Sequence, residues 1–212
     1  ANGNYASAIG FTARAPGDNA SAIGSYARAE GGNSTAIGSA TSATGSDATA
    51  IGSATEARGT NATAIGATAQ ALTTNTTAVG AAALADGTNA TALGGSAQAR
   101  GDNSAALGRT ARAIGQSATA VGALARANAD FTTAVGGDAQ ATGIGATAAG
   151  SGAQAAGENA SAFGRGSVAS QSLSTAFGQN SAAIGTAATA TGGSAQATAQ
   201  NSSAYGQGSA AT

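Results

Sequence analysis

The stretch that decides the fold is residues 61–66, which read NATAIG. Close variants recur as NASAIG at 19–24, NSTAIG at 33–38 and NATALG at 89–94. Within each stretch, small and apolar residues alternate with period two, which is typical of a short, half-buried β-strand. The Asn before the alternation and the Gly after it tolerate the positive φ of tight corners. Each stretch therefore predicts one short strand between two turns.

Two strict periods run through the chain. Alanine occupies every seventh position from Ala8 to Ala211, thirty positions without an insertion or deletion. Glycine occupies every fourteenth position from Gly10 to Gly206, fifteen positions in all. Such regularity is typical of stacked repeats, in which no single unit buries its own apolar face. We therefore predict an all-β solenoid, a parallel β-roll of about fifteen 14-residue coils, forming a single domain over residues 1–212.

A coiled coil is the other structure with a seven-residue period, and the composition excludes it. Coiled coils need large apolar residues at a and d with charges at e and g. Here a glycine falls in most heptads, and each costs about 1 kcal/mol in a helix interior.

The composition also narrows the function. The 212 residues contain no His, Cys or Lys, only 8% are charged, and the net charge is −1. Without these side chains, general acid–base and nucleophilic catalysis have few candidates, so we expect no enzyme, no catalytic residues, no metal site and no cofactor. The near-neutral charge gives no reason to expect a nucleic acid partner. No run of apolar residues is long enough to span a bilayer, so we expect no direct membrane contact.

The faces of the roll follow from side-chain chemistry. If the row containing Arg14 and Glu56 faced inward, charges would be buried without partners, at a cost of several kcal/mol each. The alanine row must therefore line the interior. In the first half of a coil, the last outward residue before the glycine is then usually large and apolar. These residues are Ile9, Ile23, Ile37, Ile51, Ile65, Val79, Leu93, Leu107, Val121, Val135, Phe163, Phe177 and Tyr205. In the second half the outward row carries Arg14, Arg28, Glu56, Gln70, Gln98, Arg112, Arg126, Gln140 and Gln154.

The apolar row predicts association between chains. Burying a large apolar side chain contributes roughly 1.5–3 kcal/mol, so about a dozen per chain supply on the order of 20 kcal/mol. That exceeds typical association costs, and symmetric closure is the usual outcome. We therefore predict an obligate homo-oligomer with the thirteen apolar residues in its core.

The fifteen NATAIG-type strings in fixed register resemble the head repeats of YadA-like trimeric autotransporter adhesins, over essentially the whole chain. The resemblance implies a left-handed roll, a homotrimer with the Thr/Ile sheet on the three-fold axis, and the Arg/Gln row as the outer ligand-binding face. It also implies a head fragment, without neck, stalk or membrane anchor. The implied setting is the surface of a Gram-negative bacterium, beyond the outer membrane, as part of a longer secreted chain.

The partners implied by the resemblance are host extracellular matrix proteins such as collagen, fibronectin or laminin, or the host cell surface. One alternative function stays open. An ice-binding β-solenoid would use the flat Thr/Ile sheet to order water, and it would be a monomer.

Four of the departures from the repeat affect the predicted trimer core or corners. Ala149 and Thr191 stand where a large apolar residue is expected, which predicts a weaker contribution of those coils to the trimer core. Phe131 and Leu173 replace the usual turn Asn, which casts doubt on those two corners.

Overall fold

The computed structural model describes residues 1–212 as two compact units, Ala1–Ser104 and Ala105–Thr212. Both units contain short β-strands and no helix. The first unit contains β1 (Ser7–Ile9), β2 (Ser21–Ile23), β3 (Arg28–Ala29), β4 (Thr35–Ile37), β5 (Ser42–Ala43), β6 (Thr49–Ile51), β7 (Glu56–Ala57), β8 (Thr63–Ile65), β9 (Gln70–Ala71), β10 (Thr77–Val79), β11 (Leu84–Ala85), β12 (Thr91–Leu93) and β13 (Gln98–Ala99). The second contains β14 (Ala105–Leu107), β15 (Arg112–Ala113), β16 (Thr119–Val121), β17 (Arg126–Ala127), β18 (Thr133–Val135), β19 (Gln140–Ala141), β20 (Thr147–Ala149), β21 (Gln154–Ala155), β22 (Ser161–Phe163), β23 (Val168–Ala169), β24 (Thr175–Phe177), β25 (Ala182–Ala183), β26 (Thr189–Thr191), β27 (Gln196–Ala197), β28 (Ser203–Tyr205) and β29 (Ala210–Ala211).

Each unit is a parallel β-solenoid. The three-residue strands pair with one another and form what we call sheet A of the unit, and the two-residue strands likewise form sheet B. The register advances by one coil at every step, so that Ile51 pairs with Ile65 and Arg112 with Arg126. The predicted all-β parallel solenoid of about fifteen 14-residue turns is thereby confirmed. The left hand, the trimer and the single domain over residues 1–212 stay predictions.

The interior contains only small side chains. Every buried apolar residue is an alanine, and the buried polar residues are serines and threonines such as Thr41 and Ser174. The predicted inward alanine row is therefore confirmed. Most buried hydroxyls donate to turn carbonyls: Thr55 Oγ1 to Gly66 O at 2.6 Å, and Ser174 Oγ to Gln171 O at 2.6 Å. These bonds make a hydroxyl acceptable where the row otherwise carries a methyl group.

Polar corners link successive coils. Turn residues such as Asn75 and Asn89 have φ values of 57° and 58°, as their positions in the sequence predict. Their side chains form an amide ladder, with Nδ2 of Asn61, Asn75 and Asn89 donating to Oδ1 of the next Asn at 3.0–3.1 Å. Elsewhere a carboxylate performs this role, and Asp102 Oδ1 accepts from the backbone N of Thr88 at 2.8 Å. The corners therefore contribute side-chain bonds to the stacking.

The two unusual corners keep the repeat geometry. Phe131 and Leu173 adopt φ values of 59° and 61°, and each backbone N–H still bonds to the preceding coil, at 2.8 and 2.9 Å. The doubt about these corners is resolved: backbone pairing holds them, although bulky residues are disfavoured in the left-handed region. Both side chains are 60% exposed, so neither gains a buried packing site in exchange.

Gly66 tests how closely the coils approach. Its φ is +124°, and a Cβ there would lie 2.7 Å from the carbonyl C and O of Gly80. We expect Gly66→Ala to lower the free energy of unfolding by about 1–3 kcal/mol, because strain and a backbone clash coincide. Thermal denaturation checks this. Gly95→Ala is the matched control, since its Cβ would meet only Ala81 O at 3.9 Å. Equal losses in both variants would refute the close approach.

A substitution at Phe131 should instead increase the stability of the fold. Asn adopts the left-handed conformation more readily than other non-glycine residues, so Phe131→Asn should raise the free energy of unfolding by about 1 kcal/mol. Denaturant titration measures the difference. The reverse exchange in the same unit, Asn159→Phe, should lower it by a similar amount, since Asn159 has a φ of 54°. A loss of stability in Phe131→Asn would contradict this account.

Candidate assembly and ligand-binding surfaces

The thirteen predicted trimer-core residues all lie on the outward face of sheet A, at the last position of a three-residue strand. Nine are exposed in the single chain: Ile9, Ile23, Ile37, Ile65, Leu93, Val135, Phe163, Phe177 and Tyr205. Four are half-buried by their neighbours in the row: Ile51, Val79, Leu107 and Val121. Parallel pairing places them in continuous register within each unit, as with Val79 beside Ile65 and Phe163 beside Phe177. Each unit therefore presents an apolar row that its own fold leaves uncovered.

The row weakens at the two predicted positions. Ala149 and Thr191 lie in the same register as Phe163 and Phe177, their respective neighbours, and supply little apolar area. The rings of Phe163 and Phe177 lie 6.0 Å apart between centroids, which is within the usual range for an aromatic pair.

The nine predicted ligand-face residues all lie on the outward face of sheet B. Arg14, Arg28, Arg112 and Gln154 are exposed, and Glu56, Gln70, Gln98, Arg126 and Gln140 are half-buried. Register places like residues side by side: Arg14 beside Arg28 in the first unit, and Arg112 beside Arg126 in the second. Sequence reasoning from the period thus located both outward rows, although it did not establish their roles.

Two ion pairs lie on sheet B of the first unit. Glu56 Oε2 is 2.8 Å from Arg58 Nη2, and Arg28 pairs with Glu30. Arg14 forms no ion pair, and neither do Arg112 and Arg126. Such exposed pairs contribute at most about 1 kcal/mol each. Their importance is geometric, because they fix long side chains on either side of shorter ones.

No group of three or more His, Cys, Asp or Glu side chains is positioned to bind a metal ion. No helix has the length and apolarity to cross a membrane.

Comparison with known families identifies the repeat. The YadA head domain repeat matches residues 1–27, 29–55, 57–83, 85–111, 113–139, 141–167, 155–188 and 183–209. The chain belongs to the YadA head repeat family. Among solved structures, it is similar to the crystal structure of the collagen-binding domain of the Yersinia adhesin YadA, at 25% identity, a TM-score of 0.35, and coverage of 69% of this chain and 66% of that chain. A comparison with curated proteins gives no match.

Membership in the YadA head repeat family accounts for both the strict period and the composition. The matched segments lie in register with the 14-residue coil, most of them two coils long. Sequence reasoning missed Ser42, a short side chain within the outward row of sheet B, and the residues that flank this row, among them Tyr26 and Thr44. Residues fourteen apart are neighbours across the sheet. Comparing side-chain lengths at that spacing would have shown a short residue between two long ones.

Proposed function

We propose that this chain is the head of a homotrimeric adhesin on the surface of a Gram-negative bacterium. Three copies associate through the apolar rows of sheet A, and the outward rows of sheet B face solvent and bind the host. The apolar row carries the proposal. Ile9 is 62% exposed and Leu93 48% exposed in the single chain, and large contiguous apolar patches of this kind mark interaction sites.

The proposed partners are extracellular matrix proteins, with collagen, fibronectin and laminin as the first to test, or the host cell surface. Sheet B repeats Arg, Gln, Ser and Thr about every 4.8 Å along each unit, which suits an extended, repetitive partner. Three identical faces raise the apparent affinity through multivalency, even if each contact is weak. A solid-phase screen of the trimer against these proteins and against cells identifies the partner.

Ile65→Asp tests the assembly. Three carboxylates would lie together on the proposed axis, and like charges with little access to water cost several kcal/mol. We expect light scattering to give about three times 19.3 kDa for the unaltered chain. The variant should give a monomer or unfold, which circular dichroism detects.

Gln70→Asp is the matched control, since it places the same carboxylate on sheet B of the adjoining half-coil. Its mass should equal that of the unaltered chain. Identical behaviour of the two variants would show that the faces are wrongly assigned. A mass of 19.3 kDa for the unaltered chain would refute the trimer and favour the ice-binding alternative, in which the Thr/Ile face meets water in a monomer.

Deletion of whole coils distinguishes a distributed ligand surface from a discrete one. Removing residues 63–76 joins Ala62 to Thr77 and keeps the register, and removing residues 63–90 deletes a second coil. If the repeated row binds the partner by multivalency, affinity for the partner found in the screen should fall gradually, by about two- to threefold per coil. Surface plasmon resonance measures this. Complete loss with the first deletion would instead indicate one local site.

A further inference from the structure

The outward face of sheet B in the first unit carries an open groove of about 680 Å³. The floor is formed by Ala40, Ser42 and Thr44, which belong to one coil. The preceding coil forms one wall and the following coil forms the other. Nothing in the family assignment or in the proposed avidity of the repeated row accounts for this concave feature.

Side-chain length creates the groove. Register places Ser42 between Arg28 on one side and Glu56 on the other. Neighbouring strands lie about 4.8 Å apart, so the backbones of β3 and β7, which form the two walls, are about 10 Å apart. Only short side chains stand between them. Each wall carries an exposed ion pair: Arg28 Nε donates to Glu30 Oε1 at 2.9 Å, and Glu56 Oε2 lies 2.8 Å from Arg58 Nη2.

One end of the groove is positively charged. Arg14 is the register partner of Arg28 and both side chains line the groove, so two like charges stand on neighbouring coils, which is unfavourable by itself. Arg28 is partly neutralised by Glu30, whereas Arg14 has no carboxylate partner. A planar carboxylate between the two arginines would relieve this repulsion and accept charge-assisted hydrogen bonds. The groove therefore favours an anionic ligand at this end.

An aromatic ring adjoins the same end. Tyr26 is 55% exposed and lines the groove, and Phe11 packs against it edge-on with the ring centroids 5.6 Å apart. A supported, exposed ring offers a flat apolar surface beside the two guanidinium groups.

The backbone of the floor is not available to a ligand. Ser42 N donates to Thr55 O at 2.8 Å, and Thr44 N donates to Ala57 O at 2.9 Å, so these main-chain donors are engaged between coils. An extended peptide gains affinity from main-chain hydrogen bonds at a sheet edge, which this sheet face does not offer. Recognition must come from hydroxyls, carboxylates, guanidinium groups and one aromatic ring. That set matches a sugar, whose hydroxyls bind polar side chains while its ring packs on an aromatic face.

We propose that this groove binds an acidic saccharide. The carboxylate of one pyranose unit lies between Arg14 and Arg28, its ring packs against Tyr26, and the next unit lies over Ser42 and Thr44. The inference rests on the proposed function only in requiring that sheet B face solvent in the assembly. It names one discrete site and one ligand class beyond the repeated row.

Isothermal titration of the full chain with trigalacturonate tests the proposal, with its methyl ester as the uncharged ligand of the same shape. Trigalacturonate should bind and the ester should not. Arg14→Gln, Tyr26→Ser and Ser42→Gln should each weaken binding by about tenfold, because they remove the charge, the ring or the open floor. Each variant introduces a residue found at the equivalent position of another coil, as in Gln70, Ser96 and Gln98, so the fold should be kept.

Arg100→Thr is the matched control. It removes one positive charge from the same unit outside the groove, and Thr44 stands at the equivalent position of another coil. Its affinity for trigalacturonate should be unchanged. Equal weakening in Arg100→Thr, equal binding of the ester, or equally tight binding of a hexaglutamate peptide would overturn the proposal.

Failure of this inference is distinguishable from failure of the proposed function. A trimer that binds matrix proteins but not trigalacturonate would refute the groove alone. A chain that binds trigalacturonate in the expected variant pattern yet has a monomeric mass would refute the assembly and keep the site.

Discussion

The small space between sheets A and B is the constraint on which the rest of the structure depends. Buried alanine contributes less hydrophobic free energy than the Leu, Ile and Phe of an ordinary core. No large apolar side chain is fully buried, and the largest buried residues are threonines such as Thr41 and Thr132. Such an interior gives each unit its regular stacking and leaves its large apolar side chains on the surface. Parallel sheets are ordinarily covered on both faces, and sheet A is covered on one. The exposure of the large apolar row on sheet A therefore follows from the small interior of the coil.

The same constraint explains the chemistry of the inward rows. Ser and Thr add only one or two heavy atoms to alanine, and they stand where the row has space and, in most cases, a hydrogen-bond acceptor. Ser167 Oγ donates to Gly164 O and Ser181 Oγ to Gly178 O, both at 2.9 Å. Ser34 and Ser104 have no such partner, and these two buried hydroxyls bear an uncompensated desolvation cost. Exchange among Ala, Ser and Thr therefore depends on the space and the hydrogen-bond acceptors at each position.

The parallel solenoid and its inward and outward rows could be predicted because one period determines everything that repeats. Once Ala64 is placed inside, the faces of Ile65 and Gln70 follow from alternation, and Asn61 and Gly66 fix the corners. What does not repeat escaped prediction. The corners at Phe131 and Leu173 hold because backbone bonds to the preceding coil outweigh local preference. Glu56 and Arg58 form an ion pair, whereas Asp86 and Arg100, which are opposite charges fourteen residues apart, form none. Pairing depends on rotamers of long, exposed side chains, which the period does not determine.

Functional specificity has to arise where the coils differ. Identical coils produce a flat lattice, which suits weak contacts multiplied along a partner but cannot enclose a small ligand. A concave site needs a short side chain between longer ones at a spacing of fourteen residues, as at Arg28, Ser42 and Glu56. One such substitution costs the fold little, because outward positions of sheet B contribute nothing to the interior. The concave features of sheet B can therefore change by single substitutions, while the alanine rows keep the interior of the solenoid unchanged.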